Sequence, residues 1–241
     1  MLTRTRAMVL RTIRYGDSQL IVDMITDEFG RLTFMQRIPK TSRSKVKKQI
    51  LQPLNILDII FDYRPNIKMQ HIKDASSAFP FISIPFDPKK MAMGMFIAEF
   101  LYYATRSEQA DRPLFKYIED SMRWLDTSTA ACSNFHIVFL MHLTMFVGFY
   151  PNTEHGTTDY YFDLRSGCFT SRPPFHSDFL LPDEACKIEL LMRMSYATMH
   201  LFRFTREERN RCINIIIKYY RLHVPDFPEP KSLAVLREVF E

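Results

Sequence analysis

The feature that most constrains the fold is a change of hydrophobic period near residue 87. Before it apolar residues alternate, and after it they recur at helical spacing. Met8, Leu10 and Thr12 alternate with Ala7, Val9 and Arg11. Leu20 to Ile25 is β-branched and apolar, and Asp27-Glu28-Phe29-Gly30 follows as a turn signal. Arg31 to Ile38 alternates again, with Leu32, Phe34 and Gln36 on one face, and Ile50 to Phe61 and Ile67 to Ile72 are further β-rich runs. Tyr15-Gly16-Asp17-Ser18, Pro39-Lys40-Thr41-Ser42 and Arg64-Pro65-Asn66 separate the runs with turn chemistry. Five short strands over residues 1–80 suit a small closed barrel such as the OB-fold, and an SH3-like barrel shows a similar pattern.

Beyond residue 87 the pattern is helical. Asp87-Pro88 places a capping carboxylate before a proline that tolerates the first turn. Met91, Met95, Ala98 and Tyr102 form an apolar stripe, widened by Phe96, Phe100 and Tyr103, which predicts a mostly buried helix. Further helices are predicted over 112–125 and 135–147, from Asp183, from Thr205 with its capping-box partner Glu208, and from Ser232. Residues 127–153 hold no charged side chain, but His136, His142 and Thr144 interrupt the apolar centre. That centre falls short of the roughly 20 residues a spanning helix needs, so a buried core helix is expected. Tyr160-Tyr161-Phe162 and Cys168-Phe169-Thr170 flank Asp163 to Gly167 as a hairpin. The expected class is α+β. A five-stranded OB-fold barrel over 1–80 precedes an all-helical domain over 81–241, with a small β-hairpin insertion inside 151–180.

Charge is distributed unevenly. Residues 1–80 hold 14 Lys and Arg against 7 Asp and Glu, while the remainder holds 18 against 20. A basic segment joined to a near-neutral body suggests a polyanion-binding module. Arg31, Arg37, Lys40, Arg43, Lys45, Lys47 and Lys48 fall within 18 residues that contain no acid. Long cationic side chains at a barrel mouth can follow a phosphate backbone without reading sequence. With Arg11 and Arg14 they make up the candidate nucleic-acid-binding set. Tyr15, Phe34, Phe61 and Tyr63 are candidates for base stacking, although Phe34 fits the barrel core better.

Other chemistries lack support. The six glycines are too dispersed for a dinucleotide fingerprint or a phosphate-binding P-loop. No Gly-x-Ser-x-Gly or His-Glu-x-x-His occurs, and the four cysteines form no Cys-x-x-Cys. His155, Cys168 and His176 surround the hairpin, but three irregularly spaced groups are a weak zinc signal because closed sites need four ligands. The reading is therefore of no catalytic residue, no metal and no cofactor. A cytoplasmic setting follows from the reduced-thiol pattern and the lack of a secretory signal.

The order of short motifs resembles the bacterial recombination mediator family RecO across nearly the whole chain. Ala7-Met-Val-Leu-Arg11 is followed by Tyr15-Gly16-Asp17-Ser18. Thr26-Asp-Glu-Phe-Gly30-Arg31-Leu32 is followed by the basic linker and Leu51-Gln-Pro53-Leu54. Gly148-Phe-Tyr-Pro151-Asn152, Phe162-Asp-Leu-Arg-Ser-Gly167, and Lys231-Ser232 with Leu236-Arg237 continue the series. The resemblance implies an OB-fold, binding of single- and double-stranded DNA, and annealing of complementary strands. It also implies partnership with RecR, engagement of the acidic C-terminal tail of single-strand-binding protein, help in RecA loading, and association with the nucleoid but not with a membrane. Zinc-bearing relatives carry four cysteines after the Gly-x-x-Pro segment, whereas 152–173 here retains only Cys168. The hairpin would then be held by Tyr160, Tyr161, Phe162 and Phe169. The leading expectation is a non-enzymatic mediator of DNA repair. An OB-fold RNA-binding protein and a metal-dependent nuclease with dispersed carboxylates are the alternatives.

Overall fold

The computed structural model describes residues 1–37, 46–106, 109–130, 132–153 and 160–240. The chain forms two compact units, Met1–Thr127 with Pro230–Val239, and Ser128–Glu229 with Phe240–Glu241. The strands are β1 (Leu2–Tyr15), β2 (Gln19–Thr26), β3 (Gly30–Arg37), β4 (Ile56–Asp62), β5 (Met69–Gln70), β6 (Ile72–Phe79), β7 (Tyr161–Asp163), β8 (Cys168–Thr170) and β9 (Phe179–Leu180). The helices are α1 (Pro88–Ala104), α2 (Arg112–Thr127), α3 (Phe135–Phe146), α4 (Pro182–Arg193), α5 (Arg206–His223) and α6 (Ser232–Val239).

The first unit is built on one curled sheet in the order β5-β3-β2-β1-β4-β6. Only His71 separates β5 from β6. β5 pairs in parallel with β3, and β6 pairs antiparallel with β4. Those partners are the two ends of the β3-β2-β1-β4 ladder, so the segment from Met69 to Phe79 is one broken stave that meets both edges. The predicted five-stave OB-fold is thus present, and the predicted fifth run is only the start of the last stave. The His71 Nδ1–H donates to the Met35 carbonyl at 2.8 Å, which fixes the break.

β1 serves two partners, pairing with β4 from Leu2 to Met8 and with β2 from Ala7 to Tyr15. The change of partner coincides with a bulge between Val9 and Arg11. There Leu54 donates to the Val9 carbonyl at 2.8 Å, and Val9 donates to that of Asn55 at 3.0 Å. The run 50–61 is accordingly not one strand. A 3-10 turn occupies Lys48–Leu51, Leu54 adopts a left-handed φ of 77°, and pairing begins at Ile56. Val9, Leu20, Val22, Met24, Phe34, Leu57, Ile59, Phe61 and Ile72 fill the barrel. Phe34 meets Phe61 edge-on at 5.2 Å.

Helix α1 starts where the sequence signals it. The Asp87 carboxylate accepts from the backbone amides of Lys89 and Lys90. Its buried face is Met93, Phe96, Ile97, Phe100, Leu101 and Ala104. The predicted stripe is only partly buried, since Met91 and Met95 are 43% and 42% exposed. A helix apolar on most sides offers periodicity no single face to select. Two carboxylates tie the helices together. Glu99 of α1 accepts from the Lys231 and Ser232 amides at 3.0 and 2.8 Å and so caps α6. Asp126, at the end of α2, accepts from the amides of Ile82, Ser83 and Ile84 at 2.8 to 3.1 Å.

The second unit holds α3, α4, α5 and a small sheet ordered β8-β7-β9. The predicted hairpin is β7-β8, and β9 adds a third strand. Thr205 and Glu208 form the predicted capping box at the start of α5. Phe162, Leu164, Phe169 and Leu180 pack on Ala185, Ile188, Ile215 and Tyr219. Tyr160 covers that cluster, and Tyr161 meets Phe179 edge-on at 5.7 Å. Asp178 ties the sheet to its neighbours, receiving Arg165 at 2.7 Å and Lys218 at 3.0 Å. Among the described residues no helix is long and apolar enough to cross a membrane.

Candidate nucleic-acid interface

Strand register decides which cations can act together. Side chains directly opposite one another across a sheet share a face. On the outer face of the barrel three rows cross β1, β2 and β3. They are Arg11–Asp23–Thr33, Ile13–Ile21–Met35 and Tyr15–Gln19–Arg37. The last row lies at the open end, where Tyr15 is 56% exposed and Arg37 is exposed. Arg14 belongs to the opposite face, in register with Leu20 and Gln36, and emerges at the same end. There it donates to the Gly16 and Asp17 carbonyls within its own turn. Arg11 and Arg14 therefore point to different sides of the barrel wall.

β3 ends at Arg37, and Val46, where the described chain resumes, has a side chain 2% exposed inside the core. Lys40, Arg43 and Lys45 lie outside the described residues, as does His155. Lys47 and Lys48 are exposed beside the 3-10 turn. That turn is pinned to β1, because Leu51 is fully buried and its carbonyl accepts from Thr12 Oγ1 at 2.5 Å. The end of the basic segment at Lys47 and Lys48 is thereby tied to Thr12 of β1, two residues before Arg14. Among the described residues, Arg14, Arg37, Lys47 and Lys48 with the exposed Tyr15 ring make a combination suited to phosphates and to a base face.

The other proposed stacking rings stand differently. Phe34 and Phe61 are fully buried in the barrel. Tyr63 is half-buried against Phe29, with ring centroids 4.6 Å apart. Tyr15 is left as the accessible ring of the four.

Two of the proposed cations have turned toward α1. The Arg31 guanidinium lies 4.5 Å from the Tyr102 ring centroid and donates to the Tyr102 carbonyl at 3.2 Å. Burial pulls its pKa below the ordinary arginine value, with Asp23 opposing that effect. Arg11 lies 4.8 Å from the same centroid, and Arg106 lies 4.8 Å from that of Tyr103. Sequence reading missed Tyr102, Tyr103 and Arg106 as a group. The available signal was an aromatic pair followed three residues later by a cation at a helix end.

His176 and Cys168 lie near the hairpin but serve the fold. His176 Nε2 stands 3.4 Å from Asp163, and its Nδ1 accepts from the Asp178 amide at 3.2 Å. Cys168 Sγ lies 3.0 Å from Ser166 Oγ. Buried carboxylates are likewise engaged. Glu119 pairs with Arg6 at 3.0 Å and Arg123 at 2.6 Å, and Asp23 accepts from Thr33 at 2.7 Å.

Two family models together cover most of the chain. A family model described as recombination protein O N terminal matches residues 1–81, and one described as recombination protein O C terminal matches residues 85–233. A protein of Phocaeicola vulgatus named DNA repair protein RecO is 50% identical over 240 residues, covering all of both chains. Proteins of the same name from Bacteroides fragilis and Christiangramia forsetii are 48% and 35% identical, again over the full length of each chain.

Proposed function

The chain belongs to the RecO family of DNA repair proteins, and from that premise we propose that it is a non-enzymatic recombination mediator. It binds single- and double-stranded DNA through the basic rim of the barrel and brings complementary strands together. Its partners in this reading are RecR and the acidic C-terminal tail of single-strand-binding protein, and the outcome is RecA loading at the nucleoid in the cytoplasm. No cofactor takes part. The candidate DNA-binding set is Arg11, Arg14, Arg31, Arg37, Lys40, Arg43, Lys45, Lys47 and Lys48.

The observation that carries the reading is the row Tyr15–Gln19–Arg37 beside the fixed ends of an acid-free cationic segment. Cations arranged this way neutralise phosphates on two strands at once and lower their mutual repulsion, so that bases can meet. The chemistry is electrostatic and needs no bond to be made or broken.

The test is a salt series. Replacing Arg43, Lys45, Lys47 and Lys48 by alanine should lower the slope of log affinity against log salt by roughly 0.7 for each phosphate no longer neutralised on single strands. An unchanged slope in a folded variant rejects this segment as the DNA-binding surface. Competition between DNA and RNA of matched sequence separates the RNA-binding alternative, because only RNA offers 2′-hydroxyls. Incubating labelled DNA with magnesium or manganese tests for the nuclease.

A further inference from the structure

The apolar stripe that the sequence assigns to the core of α1 is buried only in part, with Ala98 1% exposed but Met95 42%. Met95, Ala98 and Tyr102 line one wall of a cavity of about 350 Å³ within the first unit. Positions 95, 98 and 102 fall on one helical face. Leu10, Arg11 and Thr12, at the bulge of β1, and Lys231 line the cavity as well. The cavity has the size of a small-ligand site and the mixed lining such sites use, apolar walls with a few polar groups.

Two features indicate what would occupy it. Apart from its approach to the Tyr102 ring, the Arg11 guanidinium has neither hydrogen-bond nor ion-pair partner among the described residues. The Lys231 ammonium is exposed and likewise unpaired among them. The carboxylate in the wall, Glu99, is already engaged by the Lys231 and Ser232 amides and by Ser232 Oγ. The cavity thus combines two cations that lack a hydrogen-bond or ion-pair partner among the described residues with the side of Met95 and the ring of Tyr103, which Arg106 approaches at 4.8 Å. An anionic group joined to a flat aromatic ring fits that set, and a nucleotide is such a molecule.

The position connects it to the rim. Arg11 and Tyr15 lie on the same face of β1, four residues apart, which is roughly 13 Å along a strand. A strand of DNA seated at Tyr15 and Arg37 would run over Ile13, Ile21 and Met35 to reach the cavity.

We propose that the cavity between β1 and α1 holds one unstacked nucleotide of the bound single strand, its phosphate between Arg11 and Lys231 and its base against Met95 and Tyr103. This rests on the DNA-binding reading above. A base parked there is withheld from pairing, which gives the protein a fixed point on one strand while the neighbouring bases stay open to a complement.

The experiment uses the full chain, a labelled oligothymidylate and an abasic oligomer of equal length. Met95→Trp fills the cavity from its exposed side, and Tyr103→Leu removes the stacking ring. Each should weaken oligothymidylate binding about tenfold, the scale of removing one base–aromatic stack. Each should leave abasic binding and the salt slope unchanged. Arg11→Gln and Lys231→Gln should weaken both ligands and, combined, lower the slope by roughly 0.7 for the one phosphate they share. If folded Met95→Trp and Tyr103→Leu bind oligothymidylate as the parent does, or lose both ligands equally, the cavity holds no base and the proposal is overturned while DNA binding stands. If the parent chain binds neither oligomer, the DNA-binding reading itself fails.

Discussion

Arg31 and Tyr102 are joined twice, through a guanidinium 4.5 Å from the ring centroid and through a hydrogen bond of 3.2 Å to the backbone carbonyl. The pair locks the outer face of β3 to the end of α1. Tyr102→Leu should cost about 2 kcal/mol, from a desolvated cation–π interaction and reduced aromatic burial. Urea unfolding followed by near-ultraviolet circular dichroism reads this directly. Arg31→Lys should not recover the loss of Arg31→Ala, because an ammonium lacks the planar fork.

Arg37, Lys47 and Lys48 are exposed cations of the rim that make no contact within the Gly16–Asp17 turn, unlike Arg14. Replacing all three by alanine should reduce the single-strand salt slope by about 2, at roughly 0.7 per phosphate. Thermal stability should stay within about 0.5 kcal/mol of the parent, as surface changes usually do. Filter binding at several salt concentrations measures the slope.

Gly167 and Gly16 both have left-handed φ angles, +66° and +60°. A Cβ at Gly167 would lie 2.5 Å from the Tyr219 hydroxyl, whereas one at Gly16 would meet nothing within 4 Å. That hydroxyl donates to the Phe149 carbonyl at 2.8 Å and is not free to yield. Gly16→Ala should cost about 1 kcal/mol of backbone strain, and Gly167→Ala about 2 to 3 kcal/mol. Denaturant midpoints of the two variants separate backbone strain from collision.

Asp126→Ala should be the most damaging of these single substitutions, at roughly 3 to 5 kcal/mol. It leaves the three amides of Ile82, Ser83 and Ile84 without their acceptor. Burial works against the charged carboxylate, but those amides outweigh it and hold the pKa below the usual aspartate value. The carboxylate therefore contributes its full stability above the unfolded value of about 3.9 and loses it as pH falls from there. Asp126→Ala should abolish that part of the acid transition.

His136 acts in a separate pH window. It is 2% exposed, and burial, with a smaller effect from Arg209, pushes its pKa down to about 3. The unfolded chain takes up a proton near pH 6.5 and the folded chain does not. Stability should therefore decline as pH drops below about 6.5, before the carboxylates begin to titrate. His136→Phe should flatten the profile between about pH 6.5 and 4.5, as measured by calorimetry across that range.

The parts of this fold legible in the sequence are those settled by near neighbours. The Asp87 cap, the Thr205–Glu208 box and the turn at Gly30 each depend on residues within four positions. Phe34 lies in the core as expected, because alternation fixes which side of a strand is inward. The failures are non-local. Sequence gives no sign that Arg31 meets Tyr102, 71 residues away, or that the cap of α6 is Glu99, 133 residues before Ser232. Met95 looks like core because period alone cannot say whether an apolar face finds a partner. On the rim, composition picks out the cations, but only register separates Arg11 from Arg14.

The capping of α6 by Glu99 has a bearing on synthesis. The compact body that contains the barrel spans Met1–Thr127 and is finished by Pro230–Val239. A ribosome must therefore deliver the chain through about residue 239 before this body gains α6. Until then the acceptor on α1 faces solvent alone. Fragments ending near residue 229, whether from early termination or proteolysis, would inherit an unfinished amino-terminal body, even with every strand of the barrel already made.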